Sequence, residues 1–488
     1  MKLRFFSILN LIFINLLIAQ HGTLDESFAG FPPLGTFHSP IKKIRLQPDG
    51  KIIGIGDRHY GWVTPDYNTI LRINQDGEVD YSFNSGTGFS GDPHDLDIQH
   101  DGKIIVTGLF SSFNGTNVKN IARLNADGSL DSTFNVDSII TVFPRAVELQ
   151  SDGKIIIVGG YFDFDGSTLS TIPFVKRLNT DGSLDPSFNL EVDSILEISG
   201  FLVQADDKIL LNGGFVINGD STVFTMLRFF SDGSLDPSFS IGTGPSIFPG
   251  PSPYINNIAL QPDGKLIVTG RFSSFNGVER NGIIRLNSDG SPDLSFDPGE
   301  GLSLIYNTCC LIYTISFKGN GKIFLGGENF IHYDGHPTNG NFVLNPDGSL
   351  DTTYQGIDAG KVNSSIILED ERYLIAGYLI NGISFYYPYT YIARLNSEKS
   401  NITPVESITS DSNISIYPNP FDNYFFIEAK NTPFKGACHV YNYLGELVYS
   451  NQISNQIVQV DFTPYPSGLY FVLIESEKGE SSYKIIKR

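Results

Sequence analysis

GTLDESF at residues 22–28 and RLNSE at residues 394–398 are two pieces of one motif, found at opposite ends of a repeat array. The whole motif recurs between them. It reads RINQDGEVDYSF (Arg72–Phe83), RLNADGSLDSTF (Arg123–Phe134), RLNTDGSLDPSF (Arg177–Phe188) and RFFSDGSLDPSF (Arg228–Phe239). It continues as RLNSDGSPDLSF (Arg285–Phe296) and VLNPDGSLDTTY (Val343–Tyr354), and the seventh copy stops at Glu398. An open solenoid would need a cap at each end. Here the N-terminus carries the piece that the last repeat lacks, which predicts a closed ring completed by the N-terminal strand.

A second motif alternates with the first. LQPDGKIIGIG (Leu46–Gly56) returns as IQHDGKIIVTG, LQSDGKIIIVG, VQADDKILLNG, LQPDGKLIVTG and FKGNGKIFLGG, and last as the worn LEDERYLIAG (Leu368–Gly377). Its basic residue falls at 51, 103, 154, 208, 265, 322 and 372. Seven units of about 54 residues fit propeller blades. Each unit reads as a four-stranded meander: strand a ends at the DG turn, strand b is the β-branched run, strand c is the RLN strand and strand d is LDxSF. A further hairpin is signalled at Asn114-Gly115, Asp165-Gly166, Asn218-Gly219, Asn276-Gly277, Asp334-Gly335 and Asn381-Gly382, because both residues of such a pair tolerate positive φ. Three departures mark local irregularity: blade 1 lacks that hairpin, blade 4 has Asp207 where the turn glycine stands, and blade 7 has no DG turn.

Composition agrees with this reading. Lys and Arg number 33 against 53 Asp and Glu, a net charge of −20, which argues against tracking a phosphate backbone or docking on anionic lipid. Fifty glycines suit an all-β chain with many tight turns. Residues 1–20, MKLRFFSILNLIFINLLIAQ, have a basic start and a short apolar stretch, the pattern of a secretory signal peptide. No later run is long and apolar enough to span a membrane, so none is expected after signal removal. The three cysteines make no disulfide framework and no zinc spacing; Cys309 and Cys310 are neighbours, too close for an unstrained bridge.

The paired DGK-hydrophobic-Gly and RLNxDGSLDxSF motifs resemble the delta-60 repeat family over about 22–398. That resemblance implies a β-propeller and is almost silent on activity. After Glu398 a Ser/Thr-rich stretch reads as a linker, and from Ile414 alternating strands read as a small sandwich. This last segment resembles the type A C-terminal sorting domain of the type IX secretion system of Bacteroidota. The matching positions are Tyr417, Pro418, Asn419, Pro420, Gly445, Gly468, Tyr470, Lys484, Lys487 and Arg488. The resemblance implies export to the periplasm by the signal peptide, handling by the type IX machinery, and a mature protein on the surface of a Gram-negative cell or released from it. The expected organisation is signal peptide 1–20, seven-bladed propeller 21–398, linker 399–413 and C-terminal sandwich 414–488.

The sequence offers no catalytic constellation. His332 and His336 flank YDG without the Glu of a zincin, and neither a GxSxG elbow nor a P-loop occurs. No cofactor and no metal are expected; the oxygen-rich DG runs lack the bidentate Glu of an EF-hand. The Arg of RLN and the Asp of LDxSF recur with the blades and read as structural pairs; Val343 in place of Arg in blade 6 suggests that one member of the pair is dispensable. The loops joining strand b to c vary most. DRHYGWVTPDY (57–67) and ISFYYPYTY (383–391) belong to blades that ring closure makes neighbours. His59, Tyr60, Trp62, Tyr386, Tyr387 and Tyr389 are therefore the candidate ligand-binding residues, an aromatic set suited to sugar rings or a protein surface. The expected function is non-enzymatic binding of glycan or protein outside the cell. The alternatives are an extracellular hydrolase or lyase at the channel mouth, or a structural surface component.

Overall fold

The chain divides into two compact units, Met1–Glu398 and Lys399–Arg488. The structure, a computed structural model, describes in the first unit residues 21–28, 41–56, 69–136, 143–164, 169–217, 219, 223–247, 252–303, 311–328, 332–357, 359–380 and 389–397. In the second it describes 414–419, 421, 423–429, 436–442, 447–453, 455–465, 468–476 and 479–487. Among the described residues all regular structure is strand. The expected signal peptide and linker lie outside them.

Among the described residues, beside smaller sheets of two-residue strands, seven antiparallel three-stranded sheets of longer strands follow one another in the first unit, each in simple a-b-c order. Their first strands are Ile41–Leu46, Asp92–Ile98, Phe143–Leu149, Ser194–Val203, Tyr254–Leu260, Leu311–Phe317 and Ala359–Ile367. Each of these touches its counterparts in the sheets before and after it, and the last returns to the first. The ring is closed, with the first strands innermost.

Its core is divided by seam. Seven apolar clusters form, each shared by two neighbouring blades. Blade 1 illustrates why strand b is an unbroken apolar run. Ile53 and Ile55 pack toward blade 2, while Ile52 packs toward blade 7. A strand covered on both faces has no polar side to alternate with.

The fourth strand is shorter than the meander predicted. It survives as a single bridge per blade, such as Ile73 to Val79 and Leu124 to Leu130. The Asp that follows turns the chain away. Asp80 Oδ1 accepts the Ser82 amide at 2.9 Å and the Ser82 hydroxyl at 2.6 Å, and the Asp80 carbonyl accepts the Phe83 amide, an Asx-type turn. In blade 7 the bridge is Leu395 to Leu24. Asp25 N donates to the Arg394 carbonyl and Asn396 N to that of Thr23, so the N-terminal segment completes the last blade.

Two of the irregular turns keep their shape. Asp207 and Glu371 adopt φ of 63° and 64° where other blades place a glycine near 81°. Asp207 has a compensating contact, because its carboxylate accepts the Ser151 amide of blade 3 at 2.6 Å.

The second unit has a three-stranded sheet (Ile414–Tyr417, Tyr424–Ala429, Ile457–Asp461) and a four-stranded sheet (Gly436–Asn442, Leu447–Ile453, Gly468–Ser476, Gly479–Lys487). Both contribute to one core around Phe425, Val440, Phe462 and Val472, the arrangement of a sandwich.

Candidate functional site

The repeated charges come together first. In every blade the Asp of LDxSF lies against the basic residue of the DGK motif, with Lys–Asp separations of 2.7 to 3.4 Å in blades 1 to 6. In five of those blades the strand-c Arg joins it at 2.7 to 2.8 Å. The guanidinium also stacks on the Phe of the same motif, 4.7 to 5.0 Å from the ring centroid. Its far nitrogen reaches forward to the next blade: Arg72 donates to the Ala126 carbonyl at 2.7 Å. Arg394 does the same to the Gln75 carbonyl at 2.6 Å, which joins blade 7 to blade 1. These groups pin the ring together. Burial alone would raise the Asp25 carboxyl, but hydrogen bonds from Ser27 and Arg394 outweigh it and hold it at about 2.

Blade 6 does not dispense with its partner, as Val343 suggested. His21, from the N-terminal segment, places Nδ1 3.4 Å from Asp351 Oδ2. Its ring meets Tyr354 edge-on at 5.1 Å, and Nε2 hydrogen-bonds the Tyr373 hydroxyl at 2.7 Å. A residue 330 positions away fills the place of the missing Arg beside Asp351, so the repeat pattern could not reveal it.

The channel wall breaks the sevenfold pattern. Among the described residues the inner strands of adjacent blades are not paired by their main chains, so their edge amides need side-chain partners. Blades 1 to 4 supply these with charge. Lys43 Nζ lies 3.3 Å from Asp95 and Arg45 Nε 3.6 Å from Asp97. Asp95 and Asp97 accept the Val147 and Leu149 amides at 3.1 Å, and Glu148 accepts that of Val203. Blades 5 to 7 use neutral groups. Asn256 Nδ2 donates to the Ile312 carbonyl at 2.7 Å, the Ser365 amide to Thr314 Oγ1 at 3.0 Å, and the Ile44 amide to Ser364 Oγ at 3.3 Å. Burial, reinforced by the charge of Asp97, pushes Glu148 up to about 7; burial also raises Asp97.

Two clefts open on this wall. One of 600 Å³ is bordered by Lys43, Asp95, Arg145 and Glu148. The other, of 570 Å³, is bordered by Tyr254, Asn256, Asn257 and Tyr313. Glu197, Ser199, Gly200 and Phe201 line both. Sequence reasoning missed this set. The available signal was a run of carboxylates and amides (DPHDLDI, FPRAVEL, YINNIAL) in strands that elsewhere pack an apolar core. Among the described residues no group of three or more His, Cys, Asp or Glu could hold a metal ion.

Of the sequence-derived candidates, His59, Tyr60, Trp62, Tyr386 and Tyr387 lie outside the described residues. Tyr389 opens the third strand of blade 7, where its backbone pairs with Ile380; its side chain is outside them. In the tail, Tyr417 ends a strand and stacks on Phe426 at 5.7 Å, and Pro418 and Asn419 follow in a bend. Tyr470 is buried against Phe462. Gly468 opens a strand, Lys484 pairs by backbone with Phe471, and Lys487 Nζ donates to the carbonyls of Phe462, Thr463 and Tyr465. Pro420, Gly445 and Arg488 lie outside the described residues. Cys438 is buried, and burial pushes its thiol up to about 12; Cys309 and Cys310 are outside them.

A closed ring of repeated antiparallel sheets defines a β-propeller protein, and the tail defines an exported one. Residues 47–83, 99–134, 150–188, 204–239 and 261–296 match the DUF5122 β-propeller, a domain of unknown function. Residues 415–488 match the secretion system C-terminal sorting domain. The chain carries both: propeller repeats of that family and a type IX sorting tail, which directs it to the outer surface or the medium. No curated protein matches the chain. Among solved structures it is similar to PorZ of Porphyromonas gingivalis, described as an essential bacterial surface component of the type IX secretion system. That likeness has 11% identity and a TM-score of 0.43 over 94% of this chain, and spans 61% of the PorZ chain. It is also similar to the WD40 propeller domain of Doa1 (14% identity, 78% of this chain, 98% of that one, TM-score 0.45). A gluconolactonase from Xanthomonas campestris is a third (13%, 73% of this chain, 86% of that one, TM-score 0.34). These likenesses carry no argument about activity. No helix among the described residues is long and apolar enough to cross a membrane.

Proposed function

We propose that this exported propeller is a non-enzymatic binding module for a glycan or a surface protein. One observation carries the reading. The channel carboxylates Asp95, Asp97 and Glu148 each accept a main-chain amide of the next blade. They hold the ring together, and the remaining wall offers amides, hydroxyls and tyrosines, groups that bind without reacting. The aromatic loops bearing His59, Tyr60, Trp62, Tyr386, Tyr387 and Tyr389 would add to the same role. The strands they join belong to adjoining blades 7 and 1, which supports placing them side by side. A glycan array and a surface-protein pull-down with the full chain test the proposal, beside a Trp62→Ala/Tyr387→Ala variant. Capture by neither would overturn it.

One observation favours a second reading, a hydrolase or lyase. Glu148 at about 7 exchanges a proton near neutrality, as a general acid must. Turnover of a polysaccharide that is abolished by Glu148→Gln would replace the binding proposal with this one.

A further inference from the structure

The inner strands share one irregularity, and each blade gives it a different side chain. Pairing with the middle strand skips Lys42, His94, Arg145, Ser199, Asn256, Tyr313 and Asn363 in turn. Each stands nine positions before the basic residue of its DGK motif. The bulge is therefore part of the repeat, although blades 4 and 7 add a second one. A bulge re-aims its side chain, often next to a site. Here it sets seven side chains at equivalent places on the channel wall, and blades 1 to 3 put a basic residue there in succession.

Three of these side chains are committed to the ring itself. His94 Nδ1 lies 3.4 Å from the Pro144 carbonyl, Asn256 donates to that of Ile312 at 2.7 Å and Asn363 to that of Ile41 at 3.0 Å. The acceptor is the equivalent carbonyl of the next blade each time. Arg145 breaks this pattern. It is exposed, and among the described residues it makes no hydrogen bond or ion pair. It borders the 600 Å³ cleft, whose carboxylates already have donors. Asp95 takes Lys43 and the Val147 amide, Glu148 takes the Val203 amide, and Glu197 takes the Ser199 hydroxyl. The acids of the cleft are answered and its arginine is not.

The rest of the cleft bears on the kind of anion that fits. Its volume is within the range of small-ligand sites. Leu196, 54% exposed, joins Phe201 and Pro173 in giving it apolar surface, which suits the face of a pyranose. A guanidinium fork matches a carboxylate with two parallel hydrogen bonds. The net charge of −20 repels a polyanion, so the acid is expected singly in an otherwise neutral chain. We infer that Arg145 anchors a subsite for an acidic sugar, in which its guanidinium takes the carboxylate of one uronate residue while Leu196 and Phe201 flank the ring. The inference rests on the binding reading above and narrows its glycan to one that carries a single carboxylate.

The experiment uses the full chain on an array that pairs oligosaccharides ending in glucuronate with the same chains ending in glucose. Calorimetry on the best hit follows. Four proteins are compared: wild type, Arg145→Ala, Arg145→Lys and Trp62→Ala/Tyr387→Ala. The expected result is a wild-type preference of tenfold or more for the acid, abolished by Arg145→Ala with a melting temperature near wild type. Arg145→Lys keeps the charge without the fork, so a partial loss is expected; it also keeps the test valid if the Ala variant fails to fold. The loop variant is expected to retain the preference for the acid. Equal wild-type affinity for the two chains, or a preference that both Arg145 variants retain in full, would overturn the subsite and leave the binding reading standing. Capture of a surface protein but no glycan would do the same. Capture of neither would remove the binding reading and this subsite together.

Discussion

His21 Nδ1 stands 3.4 Å from Asp351 Oδ2, and in the other six blades an arginine makes the corresponding contact. The N-terminal segment therefore joins two blades. Through Leu24 and Asp25 it completes blade 7, and through His21 it answers the acidic residue of blade 6. Gly22 allows the crossing: it adopts φ of +83°, and a Cβ there would stand 2.5 Å from the Tyr354 ring.

Replacing His21 with Ala removes one of the two partners named for Asp351 and the hydrogen bond to Tyr373. The expected cost is about 1–2 kcal/mol of propeller stability, read as a lower denaturant midpoint. An unchanged midpoint would mean that Lys322, 2.8 Å from Asp351, suffices alone.

Arg394 is buried and pairs with Asp25 at 2.7 Å across the ring joint. Arg394→Ala leaves the buried Asp25 carboxylate with Arg372 as its one remaining cationic partner and also drops the contact to Gln75, so a loss of about 2–3 kcal/mol is expected. Arg228→Ala makes the same cut inside the array. If closure is the weakest seam, proteolysis of the Arg394 variant will release the 21–28 segment first, whereas the Arg228 variant will show no such early cleavage.

Acid should unfold the ring over a defined interval. The Asp25 carboxyl sits at about 2 and that of Asp236 at about 2, burial being outweighed by hydrogen bonds from Ser27 and Arg394, and from Ser238 and Arg228. Unfolded Asp titrates near 4 (about 3.9). A depressed folded value means the stabilisation is complete above that pH and is lost as pH falls toward 2. A urea midpoint that is flat from pH 7 to 5 in the Glu148→Gln background and collapses below about pH 4 is the expected profile.

Glu148 works in the opposite sense. Its folded value is raised to about 7 by burial and by Asp97, so the fold prefers its protonated form. Stability from this group is full below about pH 4.3, its unfolded value, and declines as pH rises through 7. Glu148→Gln keeps an acceptor for the Val203 amide and removes the titration. It should raise stability at pH 8 by about 1–3 kcal/mol and abolish the decline between pH 5 and 7.

In the tail, Lys487 Nζ caps the carbonyls of Phe462, Thr463 and Tyr465 from a buried position. Lys487→Ala leaves those acceptors short of a donor. The expected result is loss of amide-exchange protection around 455–465 and in the strand Gly479–Lys487, with the propeller melting as before.

Sequence and tertiary structure decided different things about this chain. The repeat period, the DG turns and the detached GTLDESF are local or periodic signals, so the propeller and its closure by residues 22–28 were legible from residues alone. The sorting tail was legible for a similar reason, because its spaced motifs keep their order. The sequence also marked the recurring Arg and Asp as partners, since they lie eight residues apart within a blade. Contacts between blades were not legible. Arg72 and Ala126 are 54 positions apart, and His21 and Asp351 330. Sequence separation says nothing about which loop a ring brings beside which strand. The channel wall was hidden for a further reason. Whether Asp97 or Glu148 faces water or a neighbour's amide depends on strand register, and a one-residue shift turns every side chain to the other face. The chain's pattern fixed that a ring would close; only packing the blades against one another decided which polar atoms the ring would satisfy and which it would leave open.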